Sequence, residues 1–519
     1  MAINSTNRAQ LVEQTRQSRA QGRTTGGVSK KEEHPLMQRG KDIQQMVEYW
    51  DLVEDIVEGH KAIKLGGEKY LPRFDGETGS DYKTRVEHSK FTNIYRDVLE
   101  GLATKPFEDL VKLIDGEIPE EVSEFVENVD GCGNTLTVFS SLTFFNGINN
   151  AIDWILVDYP VVDTDKVRTR ADQKAAGIRP FWSHVLAKNV LEIRTKVINR
   201  EEYITYFRLF EPAPDLESED RVKVYEKLDS GEVIWTLYEY NPKGKDEEDM
   251  FKQIDNGMIS IGVIPFVPFS TGRKNGSTWK FYPPMSDAAD LQITLYRNES
   301  SLEFIKTMAG YPMLAANGIK PEKEADGSTN KKISIGPMKV LYGPPDGEGN
   351  HGEWAFIEPA AMSMEFLKKD IDKTKQDLRE LGRQPLTSMS SQLTTVTTSI
   401  AAGKAKSAVT AWALALQDTL INALEMTMLW MKIDNYEPNV HVFTGFDNVL
   451  DSSEDIDALN KARDRGDISQ ETYLAEYKRR KILSPDFNID EENKRILDEV
   501  PDEGDQGVDS PLIDDQNDE

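Results

Sequence analysis

One cysteine, Cys132, stands in 519 residues, so the chain can form neither an internal disulfide nor a multi-cysteine zinc site. Its neighbours Gly131 and Gly133 place it in a turn, and a reducing compartment is the expectation. Histidine is scarce as well. His34, His60, His88, His184, His351 and His441 are scattered, and none stands at H-E-x-x-H or similar ligand spacing. Positive charge is in deficit, with 62 Lys and Arg against 90 Asp and Glu and a net of −28. That balance argues against a protein that grips nucleic acid electrostatically, because such binding rests on Lys and Arg neutralising phosphates. It leaves room for one that surrounds DNA without gripping it. Long apolar runs are missing too. The first residues have no apolar core like that of a signal peptide. The longest greasy segment, Ala408 to Met431, is interrupted by Gln417, Asp418, Asn422 and Glu425, which makes it a buried helix and not a membrane span. No G-x-S-x-G occurs, and no nucleophile–base arrangement stands out. Adjacent carboxylates such as Glu120-Glu121 and Glu491-Glu492 read as solvated faces. The sequence supports no catalytic residue, no cofactor and no metal.

What remains is a chain long enough for more than one compact unit, with 38% hydrophobic and 29% charged residues. Residues 1–40 are polar and weakly basic and predict a mobile arm. Residues 498–519 hold ten acidic side chains and no basic one, which predicts a disordered acidic tail. From Asp451 onward there are 22 acidic and 9 basic residues, a net of −13. Between these ends, Val47, Trp50, Val53, Ile56 and Val57 predict a helix over Lys41 to Gly66. A second helix over Asn134 to Asn149 leads into an apolar strand, Trp154 to Asp158. Alternating β-branched and aromatic runs at Val190 to Ile198, Tyr203 to Phe210, Arg221 to Leu228 and Val233 to Tyr240 predict an antiparallel meander. The apolar stretch Ile261 to Phe269 follows it.

Ser286, as N-cap, opens a helix to about Met308 that carries Leu291, Leu295, Leu302 and Ile305 on one face and stops at Gly310 and Pro312. Short strands are expected at Lys332 to Ile335, Lys339 to Tyr342 and Glu353 to Ile357. A helix over Ala360 to Leu381, with Met364, Leu367, Ile371, Leu378 and Leu381 on one stripe, stops at Gly382. Then comes a run in which nine of the thirteen residues from Thr387 to Ser399 are Ser or Thr. A long helix from about Thr398 to Ile433 succeeds it. The run is too long for a mere connection. Gly403-Lys404, just after the run, suggests a phosphate-binding loop, but Ala405 and Thr398 stand where that motif needs Ser/Thr and Gly, and the context is helical. Ile456 to Leu483 reads as two helices about a Gly turn, capped by Ser469 or Asp467. A DNA-reading helix-turn-helix is disfavoured there, because the basic run Lys478 to Lys481 lies at the end of the second helix in acidic surroundings.

Three stretches, in this order, resemble the portal proteins of tailed bacteriophages. The first is Tyr70-Leu-Pro-Arg-Phe-Asp-Gly-Glu77 with Tyr82-Lys-Thr-Arg85, Asn93 and Gly101-Leu-Ala-Thr-Lys-Pro106. The second is Arg179-Pro-Phe-Trp182 through Leu186-Ala-Lys-Asn-Val-Leu-Glu-Ile193. The third is Tyr296 to Gly318, with Tyr311-Pro-Met-Leu314 and Asn317-Gly318. Gly466-Asp-Ile-Ser-Gln-Glu-Thr472 before a helix is similar to portal C-termini. The resemblance covers residues 45–485 and rests on order, since none of these motifs is catalytic.

The resemblance implies an α+β fold: an α/β wing with antiparallel strands, two long stem helices flanking a small β-containing clip, a long wing helix and a helical crown. Mapped onto this chain, the wing is 41–285 and 398–450, the stem helices 286–309 and 359–382, the clip 310–358 and the crown 451–497. Residues 383–397 fall where portals place the tunnel loop. The channel-lining candidates are therefore Arg383, Gln384, Thr387, Ser388, Ser390, Ser391, Gln392, Thr394 and Thr395. The clip lysines Lys320, Lys323, Lys331 and Lys332 are candidates for meeting the terminase or an adaptor. The family implies a non-enzymatic homo-oligomeric ring, commonly of twelve subunits, at one vertex of the virion capsid and assembled in the host cytoplasm. Its partners would be double-stranded DNA, terminase, a head-completion adaptor, the major capsid protein and scaffold, with no membrane. The alternatives are a nucleotide-using packaging enzyme and a DNA-binding regulator built on the C-terminal helices.

Overall fold

The computed structural model describes residue 31 and residues 34–114, 117–160, 177–215, 218–244, 246–310, 313–317, 353–357, 361–381, 395–444 and 453–479, with isolated positions beyond. The chain divides at Phe446/Asp447 into two units. In chain order the first contains helices α1 (Lys41–Glu58), α2 (His60–Leu65), α3 (Gly79–His88) and α4 (Ile94–Ala103), strand β1 (Lys112–Leu113), and helices α5 (Glu120–Val126) and α6 (Leu136–Asn150). Strands β2 (Ile152–Asp158), β3 (Phe181–Val185), β4 (Val190–Ile198), β5 (Glu201–Glu211), β6 (Arg221–Lys227) and β7 (Val233–Tyr240) follow. After the single turn α7 (Glu247–Met250) come β8 (Phe251–Ile259), β9 (Phe266–Ser270), β10 (Arg273–Lys274) and β11 (Phe281–Tyr282). The remainder is helix α8 (Ser286–Gly310), strands β12 (Met313–Asn317) and β13 (Glu353–Ile357), helices α9 (Ala361–Leu381) and α10 (Thr395–Met431), and strand β14 (Val440–His441). The class is α+β, and every sheet pairing is antiparallel.

Strand β2 lies in the middle of a three-stranded sheet ordered β3-β2-β9. Successive side chains of a strand point to opposite faces, and here both faces are covered. Ile155 and Val157 join a large core with α1, α4, α6, α8, α9 and α10. Ile152, Trp154 and Leu156 join a second core under the five-stranded meander β4-β5-β6-β7-β8. A strand buried on both sides needs an almost unbroken apolar sequence, as Ile-Asp-Trp-Ile-Leu-Val supplies. Helices α3, α4 and α6 begin where Thr78, Asn93 and Thr135 accept backbone N–H bonds from Asp81, Arg96 and Val138.

The expected Lys41–Gly66 helix is broken. Gly59 takes φ +92°, a left-handed conformation that glycine adopts without penalty, and the helix resumes at His60. Strands β4 and β7 occupy the expected ranges, and β4 passes into β5 through a tight turn at Asn199 and Arg200, both with positive φ. Strand β8 is absent from the sequence expectation because Asn256-Gly257 imitates a hairpin turn. In the sheet, Gly257 instead lies opposite Trp235, where a Cβ would come 2.7 Å from the indole nitrogen. The apolar run Ile261–Phe269 is strand only from Phe266 onward. The strands expected at 332–335 and 339–342 lie outside the described residues.

Helix α10 has 37 residues, about 55 Å at 1.5 Å per residue. Asp418, Asn422 and Glu425, the residues that interrupt its apolar sequence, lie on one exposed stripe with Leu414 and Leu429. No described helix is long and apolar enough to cross a membrane. In the second unit, α11 (Ser453–Asp464) and α12 (Gln470–Arg479) form a small hairpin. Gly466 turns the chain at φ +77°, Ser469 Oγ accepts the Thr472 N–H at 3.1 Å, and the hydroxyls of Tyr473 and Tyr477 both donate to Asn460 Oδ1, at 2.8 and 2.6 Å.

Helix α6 touches β9 through Gly147, where an added Cβ would lie 2.2 Å from the buried Phe269 ring. Alanine is favoured over glycine in a helix by about 1 kcal/mol, whereas overpacking a core costs about 1–3 kcal/mol. Gly147→Ala should therefore lower unfolding stability by about 1–2 kcal/mol in a denaturant titration, with Phe269→Leu in the same chain recovering part of the loss.

Candidate functional site

Helices α8 and α9 lie side by side and antiparallel. Beyond their facing ends β12 and β13 pair, Met313 opposite Ile357 and Asn317 opposite Glu353. Asn298 Nδ2 donates to Asp370 Oδ2 at 2.8 Å, and Lys375 Nζ lies 3.0 Å from Glu299 Oε1. The apolar stripe expected on α9 is the packed one, with Ile371 and Leu378 buried and Leu367 against the core. Leu295 is likewise buried in α8. Ser286 differs from expectation, being the first residue of the helix and not its cap.

Buried polar side chains, unsignalled by hydrophobic periodicity, hold this pair to the body. Gln292 is fully buried. Its Oε1 accepts the backbone N–H groups of Ile94 and Tyr95, each at 3.0 Å, and its Nε2 donates to Thr92 O at 2.8 Å. It thus serves two of the N–H groups at the start of α4 that have no partner within the helix. About two helical turns further, Glu299 accepts from Thr92 N at 3.1 Å and Thr92 Oγ1 at 2.8 Å while pairing with Lys375. Arg297 Nε donates to Tyr70 O at 2.8 Å, and the Tyr296 and Ser89 hydroxyls are 2.9 Å apart. The opposite stripe of α8 (Asp287, Asp290, Thr294, Arg297 and Phe304) is exposed.

Of the channel candidates, Arg383, Gln384, Thr387, Ser388, Ser390, Ser391, Gln392 and Thr394 lie outside the described residues, as do Lys320, Lys323, Lys331 and Lys332. Thr395 is the first residue of α10, so the long helix starts three residues before the expected Thr398 and the loop is correspondingly shorter than 383–397. Gly403 and Lys404 are inside that helix. Their backbone amides therefore fall within a helical hydrogen-bond ladder instead of a loop that could wrap phosphates. Among the described residues, no group of three or more His, Cys, Asp or Glu is placed to hold a metal ion.

A buried ion-pairing group lies at the centre of the fold. Asp153 on β2 is fully buried on the same strand face as Ile155 and Val157, and its carboxylate meets His184 Nε2 on β3. Burial pushes the Asp153 carboxyl up to about 6; the His184 bond and the Trp154 backbone act against that rise. His184 faces a groove of about 890 Å³ between α4, α6 and β3.

Residues 284–431, from the start of α8 to the end of α10, match the family model described as domain of unknown function DUF4055. No curated protein matches the chain in sequence. Solved structures with some similarity are chains of gene transfer agent (GTA) particles. One is from the neck of a native particle computed with C12 symmetry, at 10% identity and a TM-score of 0.39, covering 73% of this chain and 88% of that one. A second, from the neck of an empty particle computed with C6 symmetry, gives 10% identity and a TM-score of 0.40 over the same shares. A third, from the virion of a native particle, gives 10% identity and 0.38, covering 79% of this chain and 96% of that one.

Two measurements test this arrangement. Glu299→Ala leaves Lys375 and the Thr92 amide without their acceptor, and a loss of about 3 kcal/mol in unfolding free energy is expected, against about 1 kcal/mol or less for Glu303→Ala, whose pair with Lys306 is more exposed to solvent. For Asp153, the folded-state value near 6 exceeds the ordinary value of about 3.9. The folded chain therefore holds this proton more tightly, and the Asp153 contribution to stability is lost as pH rises from about 4 to about 6. Urea midpoints recorded across that window should fall less steeply in Asp153→Asn than in the parent chain, and the variant should be the more stable above pH 6.

Proposed function

We propose that this chain is the subunit of a portal ring, a non-enzymatic channel at one capsid vertex through which double-stranded DNA is packaged and ejected. The observation that carries the reading is the succession from α8 to α10: two long antiparallel helices, a two-stranded hairpin at one end, a hydroxyl-dense segment at the other, then a helix of 37 residues that returns into the body. That succession accords with the resemblance of the three sequence stretches to portal proteins. In this assignment α8 and α9 are the stem, β12 and β13 belong to the clip, and the hairpin of α11 and α12 is the crown.

The physical case for the channel is one of weak contact. Each Lys or Arg that meets a phosphate displaces counterions and deepens the well from which DNA must slide. A wall of Ser and Thr hydroxyls in an acidic protein offers short-lived hydrogen bonds and little electrostatic hold. The segment 383–397 supplies such a wall, with Arg383 its single cation. Closure into a ring calls for a heterologous interface, for which the exposed stripes of α8 and α9 are available. The clip would meet terminase during packaging and a head-completion adaptor afterwards, with the major capsid protein and scaffold outside the ring.

Native mass spectrometry and negative-stain imaging of the purified chain should give closed rings; a strictly monomeric chain at high concentration overturns the reading. Deletion of Thr387 to Thr394, which spares the first turn of α10, should leave rings intact while DNA packaging or retention falls at least about tenfold, the loss expected where a few weak contacts of about 1 kcal/mol each act together. Normal packaging by the deletion variant would remove the channel role of this segment.

A further inference from the structure

The groove between α4, α6 and β3 has an apolar floor and an acidic rim. Phe139, Phe145 and Trp182 line it, together with Val138 and Leu142, which are one helical turn apart on α6 and 51% and 49% exposed. Two half-exposed aliphatic side chains on one face of a well-packed helix mark a surface suited to a partner. At the rim stand Glu100 and Asp130, and no Lys or Arg is among the lining residues. Arg96 reaches Glu100 only as a surface pair at 3.6 Å. Asp130 has its carboxyl lowered, burial raising it less than its bonds from Asn134 and the Cys132 backbone lower it. The groove therefore calls for a segment with aliphatic residues between cations.

Of the stretches outside the described residues, the first carries the largest excess of positive charge. Residues 1–30 hold five basic side chains and one acidic one, and Leu11-Val12 sits between Arg8 and Arg16. The other long stretches are less basic: residues 161–176 have four basic and three acidic side chains, with Val167 between Lys166 and Arg168, residues 318–350 five of each, residues 382–394 the single cation Arg383, and the C-terminal stretch is acidic. We infer that this groove binds the basic N-terminal stretch of the chain, Leu11 and Val12 against α6 and Arg8 and Arg16 at the acidic rim. The inference goes beyond the ring assignment and does not rest on it, since the stretch can come from the same copy or another.

Cys132 lines the groove, is exposed and is the single cysteine, so a photo-crosslinker attached there through a maleimide reports what occupies it. On irradiation of the full-length protein, crosslinked peptides should map to residues 1–30; adducts confined to the groove walls or to other segments overturn the inference. Mixing isotope-labelled and unlabelled chains identifies the donating copy, and either origin supports the assignment. The double variant Arg8→Glu with Arg16→Glu should cut the crosslink yield at least about threefold, as expected for losing two surface ion pairs, with an unchanged circular dichroism spectrum. An unchanged yield refutes the electrostatic part. Adding Glu100→Lys to that variant should restore the yield. Ring formation is scored separately by mass, so loss of rings with crosslinking retained counts against the portal reading alone.

Discussion

Strand β2 is buried on both faces, and that constraint organises the first unit. A strand with one buried face has its register fixed, because a one-residue slip turns its apolar set to solvent; one enclosed on both faces must in addition fit two separately packed cores, here with Asp153 set on one of them. The helices on one face and the meander on the other must therefore each match β2 independently. Trp182 shows how tightly this is done. On β3, opposite Val157, its ring meets Phe125 and Phe139 edge-on at 5.5 and 5.6 Å, and its Nε1 donates to Thr427 Oγ1 of α10 at 2.8 Å. One side chain thus joins α5, α6, β3 and α10.

The same enclosure explains the price of Asp153. A carboxyl buried in the middle of such a strand loses the solvation that favours its charged form, and its side-chain partner is His184. Its raised proton affinity is a direct result of where the strand sits. The pair is a conditional weak point in an otherwise apolar sheet.

Much of the secondary structure is legible in the sequence, and the failures have identifiable causes. Strands β4 and β7 follow from alternation of β-branched and aromatic residues, and α8, α9 and α10 from the spacing of leucines and from terminal glycines. Strand β8 is hidden by Asn256-Gly257, because a turn signal and a glycine that admits a cross-strand Trp235 are the same two letters. Helices α3 and α4 are short, and their starts are marked by caps at Thr78 and Asn93 more than by periodicity. The attachment of α8 and α9 is not legible at all. Gln292 and Glu299 lie on a helix that would be read as exposing its polar residues, and only the fold brings them to Thr92, Ile94 and Tyr95. The helical start of the Ser/Thr run at Thr395 is also concealed, since Thr and Ser carry weak helix propensity.

The attachment through Gln292 has a mechanical meaning. Its bonds, and those of Glu299 and Arg297, end largely on main-chain atoms of residues 70 and 92–95. Side chains can swing to absorb a small displacement, whereas a backbone held at the first turn of a helix cannot yield without moving that helix. A load along α8 is thereby delivered to α4 as a rigid shift, and from α4 into the core it shares with α6 and α10. The helix pair is geared to the body, so strain applied at one is carried into the other instead of being lost at a hinge between them.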